Sequence, residues 1–318
     1  MRLTVIIPTK NRMRDLMVAL RAVAAQTRRP EEIVLVDQSD EAPDPAIRGE
    51  LERAFGGLTE IRWMHDASIA GLVAAKRVGV IHSTGDAICF LEDDVVPEPE
   101  FLERLAATLM GDAGVIGCCG IVTDAPFGWL YAAFHAVFHR GIFRDRRPWI
   151  FVACRHRPGP RVLVDTISGG LSMWRREVFR RVPFDTVNGF HMLEDVDFST
   201  RVARCLRGRV AIVPGARLEH RFAAAGRASI GQRERRKVVE YFQFLRTRPH
   251  SPLDAACLAW VILGSGLSAF AAAFRHRSVQ PMVGIARGVI DGFGRRAEPL
   301  GSPALELEAM GESGSFRG

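Results

Sequence analysis

The 318-residue sequence is poor in the features that mark disulfide-rich or zinc-binding proteins. Its six cysteines are scattered without the spacing of a metal site, and the adjacent Cys118 and Cys119 do not suit a simple disulfide framework. It also lacks an internal repeat and a charged-then-apolar stretch at its start, so we expect no signal peptide. These absences argue against a small secreted scaffold and favour a reducing, cytosolic compartment.

The sequence does contain enough apolar material for a sizeable core, together with an excess of positive charge. The apolar fraction is 47 %, and 318 residues leave room for one large α/β domain with an appendage. Lys and Arg number 43 against 36 Asp and Glu, which gives a net charge of +7. A basic balance of this kind indicates anionic partners, which are phosphate groups, a membrane surface or nucleic acid.

Apolar strands alternate with amphipathic helices through the first third of the chain. The predicted strands cover residues 3–7, where Pro8 ends the strand, then 33–36, 61–64 and 87–91. The helices predicted between them cover residues 14–25, 46–55 and 71–81. This alternation is typical of βαβ units and predicts an α/β fold with a mostly parallel sheet flanked by helices.

Three of these strands end in polar residues, and ligands of such sheets bind outside the carboxyl ends of the strands. The polar ends are residues 8–12, 37–40 and 92–94. The last of them carries three adjacent carboxylates, which repel one another unless a cation lies between them. A Mg²⁺ or Mn²⁺ ion, held by one or two carboxylates and by substrate phosphates, is the usual reason; an acidic turn in solvent is the alternative.

Five segments in the same order resemble those of family 2 glycosyltransferases, which have the nucleotide-sugar-binding GT-A fold. They are "VIIPTKNR", "IVLVDQSD", the acidic motif "FLEDDVVPEPEFL", the Gly-Gly segment "SGGLSMWRREVF" and "LEDVDFSTRV". The resemblance covers about residues 3–222. It departs from the family pattern at Arg77, where Asn is usual, and at Glu92, where Asp is commoner.

The resemblance implies where a donor and its metal ion bind. The residues expected to contact a nucleotide diphosphate sugar are Pro8, Thr9, Asn11, Arg12, Asp37, Lys76, Asp93, Gly169 and Gly170. A Mn²⁺ or Mg²⁺ ion would be held by Asp94 and Asp93 and would neutralise the leaving diphosphate. His220, which follows a strand predicted over 210–213, is either a further ligand or a structural residue. Glu92 would not bind the ion itself but would orient one of its ligands or a donor hydroxyl.

The last of the five segments is expected to supply the catalytic base, because an acceptor hydroxyl is a weak nucleophile. Glu194, Asp195 and Asp197 open a helix predicted over 194–207, and the helix dipole alone would explain all three carboxylates. Spacing lets Asp197 pair with Arg201 and leaves Asp195 free for the acceptor. By resemblance Asp195 is the base, with Glu194 and Asp197 beside the acceptor.

Two other stretches are expected to meet lipid. Residues 126–151 mix aromatic side chains with Arg and His, which suits a flap at a membrane interface or, alternatively, a core helix and a loop. A basic helix is predicted over 227–248. After it, residues 255–274 form an uncharged run long enough to span a bilayer, and 282–293 form a shorter apolar segment. Both flanks are basic, so a span, an in-plane anchor and a soluble helical pair all remain open.

The predicted organisation is a GT-A domain over 1–225, a helical membrane-associated region over 226–296 and a disordered tail over 297–318. The predicted enzyme is an inverting, metal-dependent glycosyltransferase at the cytoplasmic face of the cell membrane. It would transfer sugar from a nucleotide diphosphate to a glycan or lipid-linked acceptor of a bacterial-type surface polysaccharide or glycolipid, without binding nucleic acid. One alternative is a processive polysaccharide synthase, whose further spans and Gln-x-x-Arg-Trp motif are lacking. The other is a non-enzymatic basic module that binds membranes or nucleic acid.

Overall fold

The structure, a computed structural model, describes residues 1–188, 190–221 and 228–294. The tail predicted over 297–318 and the domain boundary predicted at residue 225 lie outside these residues. Within them the chain forms nine strands and eleven α-helices, numbered β1–β9 and α1–α11 in chain order.

The first part of the chain alternates strand and helix as predicted. The strands are β1 (Leu3–Thr9), β2 (Glu32–Asp37), β3 (Glu60–His65) and β4 (Ala87–Leu91). The helices between them are α1 (Met13–Ala24), α2 (Pro45–Phe55) and α3 (Leu72–His82). The four strands pair in parallel in the order β3–β2–β1–β4, so their carboxyl ends share one edge of the sheet.

The sheet then becomes mixed, and five further strands extend it. Strand β8 (Leu171–Arg175) lies antiparallel between β4 and β6 (Val115–Val122). Strand β9 (Arg209–His220) is parallel to β6 and antiparallel to β5 (Val95–Pro97) and β7 (Val162–Val164). The helices of this part are α4 (Phe101–Gly111), α5 (Trp129–Phe138), α6 (Arg147–Cys154), α7 (Glu177–Arg181) and α8 (Glu194–Cys205).

Four strands are longer than the sequence predicted, and the extensions of β1 and β9 affect predicted site residues. Strand β1 does not end before Pro8 but continues to Thr9, and Pro8 lies opposite Val36 of β2. Proline is tolerated there because the pairing of β1 with β4 has already ended at Ile6. Strand β9 runs on to residue 220 instead of ending at 213, because its register with β6 shifts and it then pairs with β5. His220 is therefore the last residue of a strand rather than part of a following loop.

The main hydrophobic core makes the sheet a rigid platform. Strands β1, β2, β4 and β6 are buried along their whole length, so both faces of the sheet are covered. Helix α1 contributes a stripe that contains Leu16, Leu20 and Val23, and α4 contributes Phe101 and Leu105. Burial of each such side chain stabilises the fold by about 1.5–3 kcal/mol. The strand ends that carry the polar residues are thereby fixed relative to one another.

Three helices follow the sheet: α9 (Ile230–Arg246), α10 (Pro252–His276) and α11 (Gln280–Gly294). Capping boxes begin α9 at Ser229 and α10 at Ser251, where each serine accepts from the backbone three residues on. The three helices form a second hydrophobic core that also contains Phe190 and Val196, which belong to α8 and the segment before it. The C-terminal helices therefore pack directly on the helix that carries the predicted base.

The aromatic stretch at 126–151 is two helices rather than one helix and a loop. Helices α5 and α6 are joined through a short 3-10 turn at Gly141–Phe143. Helix α5 packs on α10, where the Trp260 indole N–H donates to the carbonyl of Val137 (2.8 Å) and the Trp260 ring stacks on Phe138. Trp129 and Leu130, at the start of α5, stay exposed.

Candidate active site

The loops after β1 and β2 are bound to each other at the shared edge. Asn11 adopts a left-handed conformation (φ 55°), which Asn tolerates better than most residues. Its amide nitrogen donates to the Asp40 carboxylate (2.8 Å), and the Asp40 backbone N–H donates back to its side-chain oxygen (3.1 Å). The Asn11 backbone N–H also donates to the Ser39 hydroxyl (2.8 Å). The predicted donor residues Asn11 and Arg12 are thus held in a defined turn.

Asp37 is completely buried at the end of β2. One carboxylate oxygen accepts from the Ser39 backbone N–H (2.9 Å) and the other from the Trp63 indole N–H (3.1 Å). In this structure Asp37 therefore shapes the turn after β2, and its predicted contact with the donor stays a prediction.

Asp93 joins the end of β4 to the end of β1. Its two carboxylate oxygens accept from the Thr9 hydroxyl (2.7 Å) and from the Arg12 guanidinium (3.0 Å). Burial raises the pKa of Asp93 to about 6, with a further contribution from Asp94, although the contacts with Thr9 and Arg12 act in the opposite direction. Three of the predicted donor residues therefore meet at one point.

A second group of side chains at this edge has the composition of a metal centre. Glu92, Asp94 and His220 each direct one ligand atom into a space where all three atoms lie within 4.8 Å of one another. His220 Nε2 lies 2.6 Å from the Glu92 carboxylate and 3.6 Å from the Asp94 carboxylate. Two carboxylates and one imidazole suit Mn²⁺, which accepts oxygen and nitrogen ligands. The residues present therefore fit a divalent cation.

The grouping differs from the predicted division of the acidic triplet, in which Asp93 binds metal beside Asp94 and Glu92 lies behind them. In the structure Glu92 lies with Asp94 and His220, whereas the carboxylate of Asp93 accepts from Thr9 and Arg12. Metal binding by Asp93 therefore stays a prediction. His220 reaches the group because β9 is long enough to pair with β5 directly after the triplet.

The Gly-Gly segment separates the acidic edge from the start of α8. A side chain at Gly170 would collide with the carboxylate of Glu92, and one at Gly169 would collide with the carboxylate of Glu194. The Glu92 backbone N–H also donates to the Gly170 carbonyl (3.0 Å). The two glycines let the metal-type group and the helix with the predicted base approach each other with only the backbone of this segment between them. Their predicted contact with the donor sugar stays a prediction.

Lys76 has a structural partner that the sequence did not indicate. It was expected to contact the donor, but it is only 2 % exposed and its ammonium lies 2.6 Å from Glu194. The ammonium also lies over the ring of Phe90, 5.4 Å from its centroid. Lys76 thereby ties α3 to the first residue of α8, while its role toward a donor remains a prediction.

The predicted base, Asp195, is not free as expected but forms an ion pair with Arg147 of α6. Arg147 in turn makes three hydrogen bonds of 2.8–3.0 Å to the carboxylate of Asp145. Burial opposes ionisation of Asp145, but the Arg147 charge outweighs it and holds the pKa of Asp145 below its usual range. Asp145 therefore holds the Arg147 guanidinium in place, and Arg147 in turn orients the carboxylate of Asp195.

Asp197 pairs with Arg201 as predicted (2.8 Å) and has a second partner in Arg248, which follows α9 (2.8 Å). Sequence reasoning missed Asp145, Arg147 and Arg248. Arg147 and Arg248 lie in Arg-rich stretches, where the spacing does not distinguish one arginine from its neighbours. The sequence therefore gave no indication of their partners.

Comparisons with known proteins agree with the family that the sequence resembles. Residues 4–182 match the sequence profile of "Glycosyl transferase family 2". YwdF of Bacillus subtilis (strain 168), an uncharacterized glycosyltransferase, is 27 % identical over 230 residues, or 71 % of this chain and 76 % of the relative. The glycosyltransferase AglE of Haloferax volcanii is 30 % identical over 110 residues, or 34 % of this chain and 35 % of the relative.

Two solved structures share the fold. The mannosyltransferase PcManGT from Pyrobaculum calidifontis, in complex with GDP-Man and Mn²⁺, superposes with a TM-score of 0.56 at 17 % identity, covering 98 % of this chain and 79 % of that one. GalNAc-T7 with UDP, GalNAc and Mn²⁺ gives 0.55 at 18 % identity, covering 77 % of this chain and 48 % of that one. The fold is thus of the predicted GT-A class. Because the family profile spans more than half of its length, this chain belongs to glycosyl transferase family 2 and is a glycosyltransferase.

Proposed function

We propose that this glycosyltransferase is metal-dependent and inverting, and that it transfers a sugar from a nucleotide diphosphate to a hydroxyl of a glycan or lipid-linked acceptor. The observation that carries the proposal is the juxtaposition of the Glu92–Asp94–His220 group and the Asp195 helix across Gly169 and Gly170. One side of this segment offers ligands for a cation, and the other offers a carboxylate that accepts a proton.

The residues of the donor edge have distinct tasks in this proposal. The cation, when bound, offsets the negative charge that develops on the leaving diphosphate. Arg12 and Thr9 hold Asp93 and, with the Asn11–Asp40 pair, fix the turn against which the nucleotide rests. PcManGT and GalNAc-T7, whose folds are similar, were solved with Mn²⁺ and with GDP-Man or UDP, which supports a nucleotide donor at this edge.

On the acceptor side, Asp195 takes the proton of the attacking hydroxyl, and Arg147 holds the carboxylate in place. A single displacement by this hydroxyl inverts the configuration at the sugar carbon and needs one base. The buried pair of Lys76 and Glu194 keeps the start of α8 against α3, beside the Gly-Gly segment.

A thermal-shift screen of nucleoside diphosphates with and without Mn²⁺ tests the donor site. A ligand that binds the native state raises the unfolding temperature by mass action. We expect stabilisation by one or more nucleoside diphosphates only when Mn²⁺ is present, and loss of this effect in His220→Gln. The exposed His156 supplies the control, because His156→Gln should respond like the wild type. Equal stabilisation with EDTA, or no stabilisation by any nucleotide, contradicts the proposal.

We also propose that the enzyme works on the cytoplasmic face of a membrane, as an envelope polysaccharide or glycolipid transferase. Among the described residues, α10 is the helix long and apolar enough to cross a bilayer by length and composition, a test that core helices of soluble proteins also pass. Its exposed side carries large apolar residues, which are Trp260, Leu263, Leu267, Phe270 and Phe274. All six cysteines lie in the described residues and are free thiols, which suits a reducing compartment.

Vesicle sedimentation tests the membrane proposal. The double variant Leu267→Glu/Phe270→Glu changes only exposed positions of α10 and should move the protein from the vesicle pellet to the supernatant. Leu58→Glu, at a still more exposed position before β3, is the control and should leave sedimentation unchanged. Full-length protein that stays in the supernatant with anionic vesicles contradicts membrane association.

A further inference from the structure

We propose that Glu240 and Arg248, from the C-terminal helical segment, are positioning residues that hold the first turn of α8 and thereby aim Asp195 at the acceptor. The proposal rests on the proposed role of Asp195 as the base. Both residues lie outside residues 4–182, the part of the chain that matches the family profile.

Glu240 caps α8 from another helix. The N-cap residue of α8 is Leu193, whose side chain cannot accept a hydrogen bond, although the first N–H groups of any helix need acceptors. One carboxylate oxygen of Glu240 accepts from the backbone N–H of Met192 (2.8 Å) and of Leu193 (2.9 Å). Glu240 is 2 % exposed and brings a carboxylate to the positive end of the helix dipole.

Arg248 holds the same turn from a second direction. The residue is 8 % exposed. Its guanidinium donates to Asp197 (2.8 Å) and to the Phe244 carbonyl (2.6 Å), and it stacks 3.4 Å from the Phe244 ring centroid. Burial lowers the pKa of Arg248 to about 10, so it stays protonated at neutral pH. The contacts with Phe244 therefore hold the Arg248 guanidinium in the position from which it donates to Asp197.

These two contacts lie on either side of Asp195 along the chain. Glu240 binds the backbone two and three residues before it, and Arg248 binds the side chain two residues after it. Between them, Val196 is buried in the core formed by α9–α11. Successive residues of a helix differ by about 100° in direction, so a small rotation of this turn would carry Asp195 away from Arg147 and from the Gly-Gly segment. Misplacement of a reacting group by about 1 Å can lower a rate on the order of 100-fold.

The first experiment compares two Glu240 variants with a matched control. Glu240→Leu removes the acceptor, whereas Glu240→Gln keeps an oxygen that can accept both N–H groups. Val238→Ala is the control, because Val238 is equally buried in α9 but contacts Gly288 of α11. We expect Glu240→Leu to lower kcat about 10- to 100-fold at unchanged donor KM, and Glu240→Gln and Val238→Ala to stay within about threefold of wild type. A Glu240→Leu kcat no lower than that of Val238→Ala overturns the proposal.

The second experiment asks whether the effect passes through Asp195. In an Asp195→Asn background, Glu240→Leu should cause no further loss of kcat, since residues that act through one group are not additive. Additive losses overturn the positioning role while leaving the base assignment intact. Normal transfer by Asp195→Asn alone contradicts the proposed base, and the positioning role falls with it.

Arg248 gives an independent variant if Glu240→Leu does not fold. Arg248→Met should lower kcat at least 10-fold with unchanged donor KM, and Arg248→Lys, which keeps a cation for Asp197, should recover part of the loss. Nucleoside diphosphate binding with Mn²⁺ should match the wild type in both variants. A loss of donor binding equal to the loss of kcat would show general disruption and would overturn the proposal.

Discussion

The proposed donor edge and the proposed acceptor side of this enzyme are built in different ways. At the donor edge, the ends of neighbouring parallel strands bring Thr9, Asp37 and Asp93 together, so sheet topology alone assembles the group. On the acceptor side, one helix turn carries three carboxylates, and each has a cation from a separate part of the chain. In the proposed function, donor binding therefore depends on strand order, whereas the position of the proposed base depends on packing between distant segments.

The largest expected effect is at the donor edge. Asp94→Ala should lower transfer by about 10³-fold, the upper end of the 10²- to 10³-fold loss that removal of one group stabilising developing charge commonly causes. The fold should persist, since β4 is held by its apolar residues. Transfer rates over a Mn²⁺ titration, with circular dichroism, measure both effects. Asp112→Ala, at the opposite edge of the sheet, is the control. Near-normal transfer by Asp94→Ala in EDTA would reject the metal site.

On the acceptor side, Asp195→Asn should lower transfer 10²- to 10⁴-fold, the usual worth of general-base catalysis. Asp197→Asn is the matched change two residues further along α8. It should act mainly on stability, because the Asn side-chain oxygen can still accept the hydrogen bond from Arg248 that holds this turn. It leaves Arg248 buried with a weaker partner, which should lower the free energy of unfolding by about 3–5 kcal/mol. Transfer assays and denaturant titrations of both variants separate the two roles. Normal transfer by Asp195→Asn with an inactive, stable Asp197→Asn would reverse the assignment.

A smaller effect is expected at Arg147. Arg147→Met should lower kcat about 10-fold, because misorientation of the base costs part of its contribution, and donor KM should not change. Arg147→Lys keeps the charge but loses the bidentate contact with Asp145. Its kcat should therefore lie between that of Arg147→Met and that of the wild type. Steady-state kinetics with varied donor and acceptor measure the effect. A rise in donor KM alone would place Arg147 at the donor edge instead.

The smallest effect is a pH dependence of stability, which we expect from His139 directly after α5. Burial lowers the pKa of His139 to about 3, whereas a histidine in the unfolded chain titrates near 6.5. The unfolded state therefore binds more protons between these values, and stability falls as pH drops below 6.5, by about 1.4 kcal/mol per pH unit. His139→Phe should flatten this slope, while His156→Gln should not. Denaturant titrations at pH 7, 6 and 5 measure it, and equal slopes in His139→Phe and wild type would contradict it.

The sequence predicted what local order and strand ends determine. The βα alternation, the edge with three polar ends and the Asp197–Arg201 pair are all present. It did not anticipate that Glu92 would lie with Asp94 and His220, since only the contacts of Asp93 with Thr9 and Arg12 distinguish these neighbouring carboxylates. It also missed Arg147 and Glu240, because long-range partners leave no periodic or spacing signal.

Binding of a nucleoside diphosphate, measured by titration calorimetry with and without Mn²⁺, most directly tests the separation of the two regions. The wild type, Asp94→Ala and Asp195→Asn should be compared with the same nucleotide. The account predicts that Asp195→Asn binds within about threefold of wild type, whereas Asp94→Ala loses the gain in affinity that Mn²⁺ provides. Loss of binding by Asp195→Asn, or Mn²⁺-dependent binding by Asp94→Ala, would contradict the claim that metal and base occupy opposite sides of the Gly-Gly segment.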